Sequence, residues 1–109
     1  MSMGEDKRSS RRHRRRYKVT VGPASWFTTD VSAGGFSGEV MRVLPAGAAV
    51  EGTIDVRGAE VVFAGDVAWA ERGDWHLNLR GRMGVRFTRI GPEAVTLLVG
   101  ASAPRLSPR

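Results

Sequence analysis

A chain of 109 residues with 41% hydrophobic side chains has room for one small packed domain and not for two. It contains no cysteine, which excludes disulfides, thiol catalysis and cysteine-ligated zinc or iron–sulfur centres, and His13 and His76 alone cannot build a histidine-rich metal cage. The net charge of +6 resides entirely in residues 1–18, where Lys7, Arg8, Arg11, Arg12, Arg14, Arg15, Arg16 and Lys18 face only Glu5 and Asp6, whereas residues 19–109 balance nine basic against nine acidic side chains.

A basic arm on a neutral body attracts an anion, whether nucleic acid, a membrane surface or a smaller phosphate-bearing ligand; its plain alternative is a solvated tail. No apolar stretch follows the arginines, as a secretory signal requires. The longest apolar run, Ala94–Ala101 broken by Thr96, falls far below the roughly 18 residues of a membrane span. The expectation is a soluble, cytoplasmic protein.

In chain order, residues 1–10 are Ser, Gly and charges with little to bury and read as a disordered tail. Residues 11–100 read as the single domain, and from Tyr17 onward apolar side chains alternate with polar ones at period 2. Tyr17, Val19 and Val21 share one face opposite Lys18 and Thr20. Phe36 and Val40 alternate with Ser37 and Glu39, and Val50, Ile54 and Val56 with Glu51, Thr53 and Asp55. Val61, Phe63, Val67 and Trp69 form a long strand in which Gly65 reads as a bulge. Trp75, Leu77 and Leu79 oppose His76, Asn78 and Arg80, and Met83, Val85 and Phe87 oppose Arg82, Gly84 and Arg86. Turn signals separate the runs at Gly22-Pro23, Ala33-Gly34-Gly35, Leu44-Pro45-Ala46-Gly47, Arg57-Gly58, Arg72-Gly73-Asp74 and Gly81-Arg82.

Six or seven short amphipathic strands cannot leave an apolar face uncovered, so at this length an all-β, small antiparallel β-barrel is expected. After Gly91-Pro92 the chain reads either as a short helix lined by Val95, Leu98 and Val99 or as a last strand. Residues 101–109 read as a flexible tail. The acidic residues of the body are scattered, with no paired carboxylates, no nucleophile–base ordering and no metal-ligand spacing, so no enzymatic activity and no cofactor are expected.

Two short motifs remain. Arg11-Arg12-His13-Arg14-Arg15-Arg16 contains two overlapping Arg-x-x-x-Arg pairs, and Asp30-Val31-Ser32-Ala33-Gly34-Gly35 is an Asp-x-Ser-x-x-Gly at a strand-to-strand turn. In this order before a barrel body they resemble the PilZ domain, the bacterial receptor for cyclic di-GMP. Gly65-Asp66-Val67-Ala68-Trp69 and Met83-Gly84-Val85-Arg86-Phe87 look like two later strands of that family, so the resemblance runs over about residues 11–90.

The resemblance implies that Arg12, Arg16, Asp30, Ser32 and Gly35 bind the ligand, with Arg11 and Arg15 as the second choice of arginine register. An arginine fork matches a phosphate or the O6/N7 edge of guanine and stacks on a base face. The Asp30 carboxylate can accept from the guanine N1–H and N2–H₂ donors, Ser32 can reach phosphate or base, and Gly35 permits a positive φ and close ligand approach. The arm would then fold over the ligand and pass that state to an unidentified protein effector. The interval of 13 residues between Arg16 and Asp30 is shorter than is usual in the family and demands a compact first hairpin.

Plainer roles exist for the same residues. Asp30 and Ser32 are good turn formers, Trp69 and Trp75 fit a core, and one of Trp26 and Phe27 must face outward. Two other functions stay open: a nucleic-acid-binding barrel with a basic arm, and a PilZ-like interaction module without ligand. The first is disfavoured by polar strand faces that lack stacking aromatics.

Overall fold

A computed structural model describes residues 12–99 (for Trp75, the backbone alone), so the tails expected at 1–10 and 101–109 lie outside the described residues. Among the described residues seven strands follow one another as β1 (His13–Arg14), β2 (Lys18–Val21), β3 (Ala24–Ser32), β4 (Gly35–Val40), β5 (Ala49–Val56), β6 (Ala59–Glu71) and β7 (Gly81–Ile90). All pairings are antiparallel. The order β3-β2-β5-β6-β7-β4 closes on itself through a β3–β4 pairing, and β1 adds to the far end of β3. The expected small antiparallel barrel of six or seven strands is thus present as six strands in a closed barrel plus one extra strand, although β3 shows no alternating run in the sequence, and closure removes the exposed edges of an open sheet.

Alternation sets the inside. Val19, Val31, Phe36, Ile54, Phe63, Val67 and Val85 are buried, and Phe36 sits among Trp26, Phe63 and Phe87 with ring centroids 5.3–5.7 Å away. Tilted and edge-on rings at these distances add attraction beyond their buried area. Ser37, assigned to the polar face, is also buried, because Thr29 and Asp30 of β3 cover it.

The first hairpin is as compact as the short interval demands. Lys18 pairs with Phe27 and Val21 with Ala24 around the Gly22-Pro23 turn, with Gly22 at φ 60°. The Arg57-Gly58 turn joins β5 to β6 with both residues at positive φ, the geometry of a tight hairpin.

The segment Trp75–Leu79 corrects the alternation reading. Residues Trp75–Leu77 form a 3-10 turn instead of a strand, and Leu77 and Leu79 are exposed. The cause is local: the Asp74 side chain accepts the His76 N–H, the Asp74 carbonyl accepts the N–H groups of Leu77 and Leu79, and Asn78 adopts φ 60°. A short Asp and a left-handed Asn close a loop more cheaply than a strand extends it.

The ambiguous segment after Gly91 is a helix, α1 (Pro92–Val99). Pro92 occupies its first position, the Gly91 carbonyl accepts from Ala94 and Val95, and Leu98 is completely buried in the barrel core.

Candidate ligand-binding site

The site grows from the β3–β4 turn. Phe36 anchors the start of β4 in the core, one residue after Gly35. Gly35 pairs with Arg86 of β7, and a Cβ on it would lie 1.9 Å from the Val85 carbonyl oxygen. Glycine is therefore required by close backbone approach. Gly35 is not among the positive-φ glycines, which corrects the conformational reason expected for it.

Ser32 is buried, and its hydroxyl accepts the Gly34 N–H at 3.2 Å and donates to the Gly35 carbonyl at 3.4 Å. It thus locks the turn from within. Asp30 stands two residues earlier, just after an irregularity in the β3–β4 ladder between Thr28 and Asp30. Its Oδ2 accepts the buried Ser37 hydroxyl at 2.9 Å and its Oδ1 accepts Arg12 Nη1 at 2.5 Å. The carboxylate is braced on the barrel side and open toward the arm.

The arm runs along β3. His13 pairs with Val31 and Arg14 with Asp30, which carries Arg12 across the turn. Where β1 gives way to β2, the buried Thr28 hydroxyl donates to the Arg15 carbonyl at 2.7 Å and accepts the Tyr17 N–H at 2.9 Å. One side chain thereby satisfies the backbone groups that the broken ladder leaves unpaired.

The candidate arginines are consequently dispersed. Arg12 reaches Asp30; Arg16 lies over the half-exposed ring of Phe27, its guanidinium carbon 4.0 Å from the centroid; Arg15 folds back to the Arg14 carbonyl at 2.8 Å. Arg11 lies outside the described residues. Among the described arginines of the two registers, Arg12 is the one brought to the Asp-x-Ser turn.

Around this turn the outer wall of the barrel forms a hollow of about 290 Å³, lined by Arg12, Ser32, Gly34, Gly35, Trp69, Gly84 and Arg86 among others. Among these residues, the side chains of Trp69 and Arg86 carry chemistry that the sequence reading missed. Trp69 was assigned to the core, but a register shift between Val67 and Trp69 turns it out of the inward series. A Cβ on Gly84 would lie 2.3 Å from the indole nitrogen, so Gly84 makes room for the ring on the outer wall. Arg86 was one polar-face residue among several; its Nη2 donates to Asp66 Oδ2 at 3.2 Å. The glycine at 84, two before Arg86, was the one sign that this face carries something bulky.

Comparison with known proteins agrees with this architecture. Residues 6–102 match the PilZ domain family, which spans most of the chain, and the protein belongs to that family. No curated protein matches the sequence. Among solved structures, the fold is similar to the Bacillus subtilis inhibitor of motility, MotI/DgrA, with a TM-score of 0.72 and 14% identity over 87% of this chain. The match covers 49% of that protein, so the present chain spans about half its length. Among the described residues no helix is long and apolar enough to cross a membrane.

Proposed function

We propose that this PilZ-family protein is a receptor for cyclic di-GMP that signals to a protein partner through its arginine arm. The observation that carries this reading is the convergence, on one hollow of the outer wall, of a half-exposed cation (Arg12), a braced carboxylate (Asp30) beside it, and an indole ring (Trp69). A cyclic guanine dinucleotide offers a phosphate for the first, N1–H and N2–H₂ donors for the second and a flat base for the third.

In this reading the bound guanine replaces Arg12 as the donor to Asp30 Oδ1, and the released guanidinium turns to phosphate. Ser37 keeps the carboxylate in place throughout, and Ser32 holds the turn. The hollow, at about 290 Å³, is at the lower limit of small-molecule sites of roughly 300–1,000 Å³. It therefore takes one part of the dinucleotide, and the arm must cover the rest. Arg16, now on Phe27, and Arg11 or Arg15 are the further arginines available for that cover. Ordering them on the ligand changes the surface a partner meets.

Calorimetric titration with cyclic di-GMP, with GTP and cyclic di-AMP as controls, tests the proposal. Saturable micromolar or tighter binding of the guanine dinucleotide alone, lost in Arg12→Ala and Asp30→Ala, is expected; micromolar affinity corresponds to ~8 kcal/mol. Absence of heat in the wild-type chain would refute the receptor reading and leave an interaction module without ligand. Steep loss of binding with salt, together with equal affinity for single-stranded nucleic acid, would favour the basic arm as a nucleic-acid clamp.

A further inference from the structure

Two ion pairs occur among the described residues, Arg12–Asp30 and Arg86–Asp66, and their arginines line the same hollow. They are built alike. In each, a largely shielded aspartate (side chain 23% and 26% exposed) holds an arginine that is mostly in solvent (53% and 68%). They come from opposite directions: Arg12 arrives from the arm along β3, and Arg86 rises from β7, directly across the ladder from Gly35 on one side and Asp66 on the other.

We infer that Arg86 is a second phosphate-binding group of the site, positioned by Asp66, and that a doubly anionic cyclic dinucleotide seated partly in the hollow is clamped between Arg12 and Arg86 at its rim. This rests on the receptor reading above. Asp66 uses one of the five guanidinium N–H donors of Arg86, which leaves the others for the hollow. An aspartate on only one edge of the fork fixes its direction without consuming it, so less side-chain freedom remains to be lost when an anion arrives. The neighbourhood is shaped for that arginine. A Cβ at Gly65 would meet the Arg86 carbonyl oxygen at 2.4 Å, and one at Gly35 would meet the Arg86 Cα at 3.1 Å. Glycines on both flanking strands thus let the β7 backbone at Arg86 sit close, and Gly84 lets Trp69 lie along the same strand. The ligand class that fits is small, carries two phosphate charges a ring apart and presents at least one flat base. A mononucleotide leaves one of the two arginines unused.

Full-length Arg86→Ala and Arg86→Lys, titrated with cyclic di-GMP, test the assignment, with Asp30→Ala as the variant that reports on the site as a whole. Arg86→Ala is expected to weaken binding by about tenfold or more, the usual worth of a hydrogen bond to a charged group. Arg86→Lys is expected to fall between it and wild type, because charge is kept and the fork is lost. Thermal melts should match wild type for both, since the side chain is mostly exposed. Phosphorus NMR with protein in excess adds a readout that a structural role would not move. The two phosphates are equivalent in free ligand; they should give two resonances when bound, of which Arg86→Ala moves one and leaves the other. Wild-type binding with unchanged affinity in Arg86→Ala would overturn this inference and leave the receptor reading intact. Weakened binding with both resonances unmoved would also overturn it, in favour of a base contact. No binding by the wild-type chain would sink both.

Discussion

On the barrel, Asp30, Ser32 and Gly35 are fixed from below by Phe36 and from the side by Ser37 and the Val85 backbone. On the arm, Arg12 and Arg16 are held by one exposed ion pair and one ring contact, interactions that are each worth ~1 kcal/mol or less at the surface. The β1–β3 ladder that carries the arm joins only two residue pairs, against eight in the β5–β6 ladder. One half of the candidate site is therefore preorganised and the other can be rearranged at little cost. That division suits a receptor, because a rigid half gives selectivity and a loosely held half lets ligand energy change a surface.

The comparison breaks most completely if the rigid half is removed. Phe36→Ala deletes the ring that meets Trp26, Phe63 and Phe87, and chemical denaturation should show a loss of ~3–5 kcal/mol. Next is Gly35→Ala, whose Cβ would overlap the Val85 carbonyl and push β4 from β7; a loss of ~1–3 kcal/mol and distortion of the hollow are expected by the same measurement. A stability equal to wild type would show that the β4–β7 contact yields freely.

Asp30→Ala separates stability from binding. Ser37 retains Thr29 as a neighbour at 3.3 Å, so denaturation should report a change of ~1 kcal/mol or less, while calorimetry should show at least ~tenfold weaker ligand binding. The smallest effect concerns Phe27→Leu, which removes the ring under Arg16. If Arg16 must leave Phe27 to reach the ligand, affinity should rise about twofold to fivefold, the equivalent of a cation–π contact of ~0.5–1 kcal/mol. Unchanged affinity would exclude Arg16 from the ligand.

Much of the barrel was legible because a period of 2 leaves its mark wherever one strand face is buried. Val19, Ile54, Phe63 and Val85 all lie where alternation puts them. The reading failed where a local hydrogen bond outweighed the pattern, at Trp75–Leu79, since alternation does not report that Asp74 caps the segment. It failed again at Trp69, because a one-residue register shift reverses a side chain without altering the composition. Site residues were legible as short motifs, but their arrangement was not. Spacing brings Arg12 and Arg16 forward as a pair, whereas Thr28 stitches the arm to β3 so that one meets Asp30 and the other Phe27. Arg86 carried no signal of its own, because its importance depends on which strands β7 lies between.

Trp69 lines the hollow on the outer wall while Trp26 packs against the core cluster. Whatever fills the hollow must strip water from the Trp69 indole, whereas Trp26 packs on Phe36 and does not line the hollow. The chain therefore carries its own fluorophore at the place of interest. Occupancy can be followed by the change in intrinsic emission of unlabelled protein, and a Trp69→Phe variant, which keeps Trp26 and Trp75, shows how much of that change belongs to Trp69.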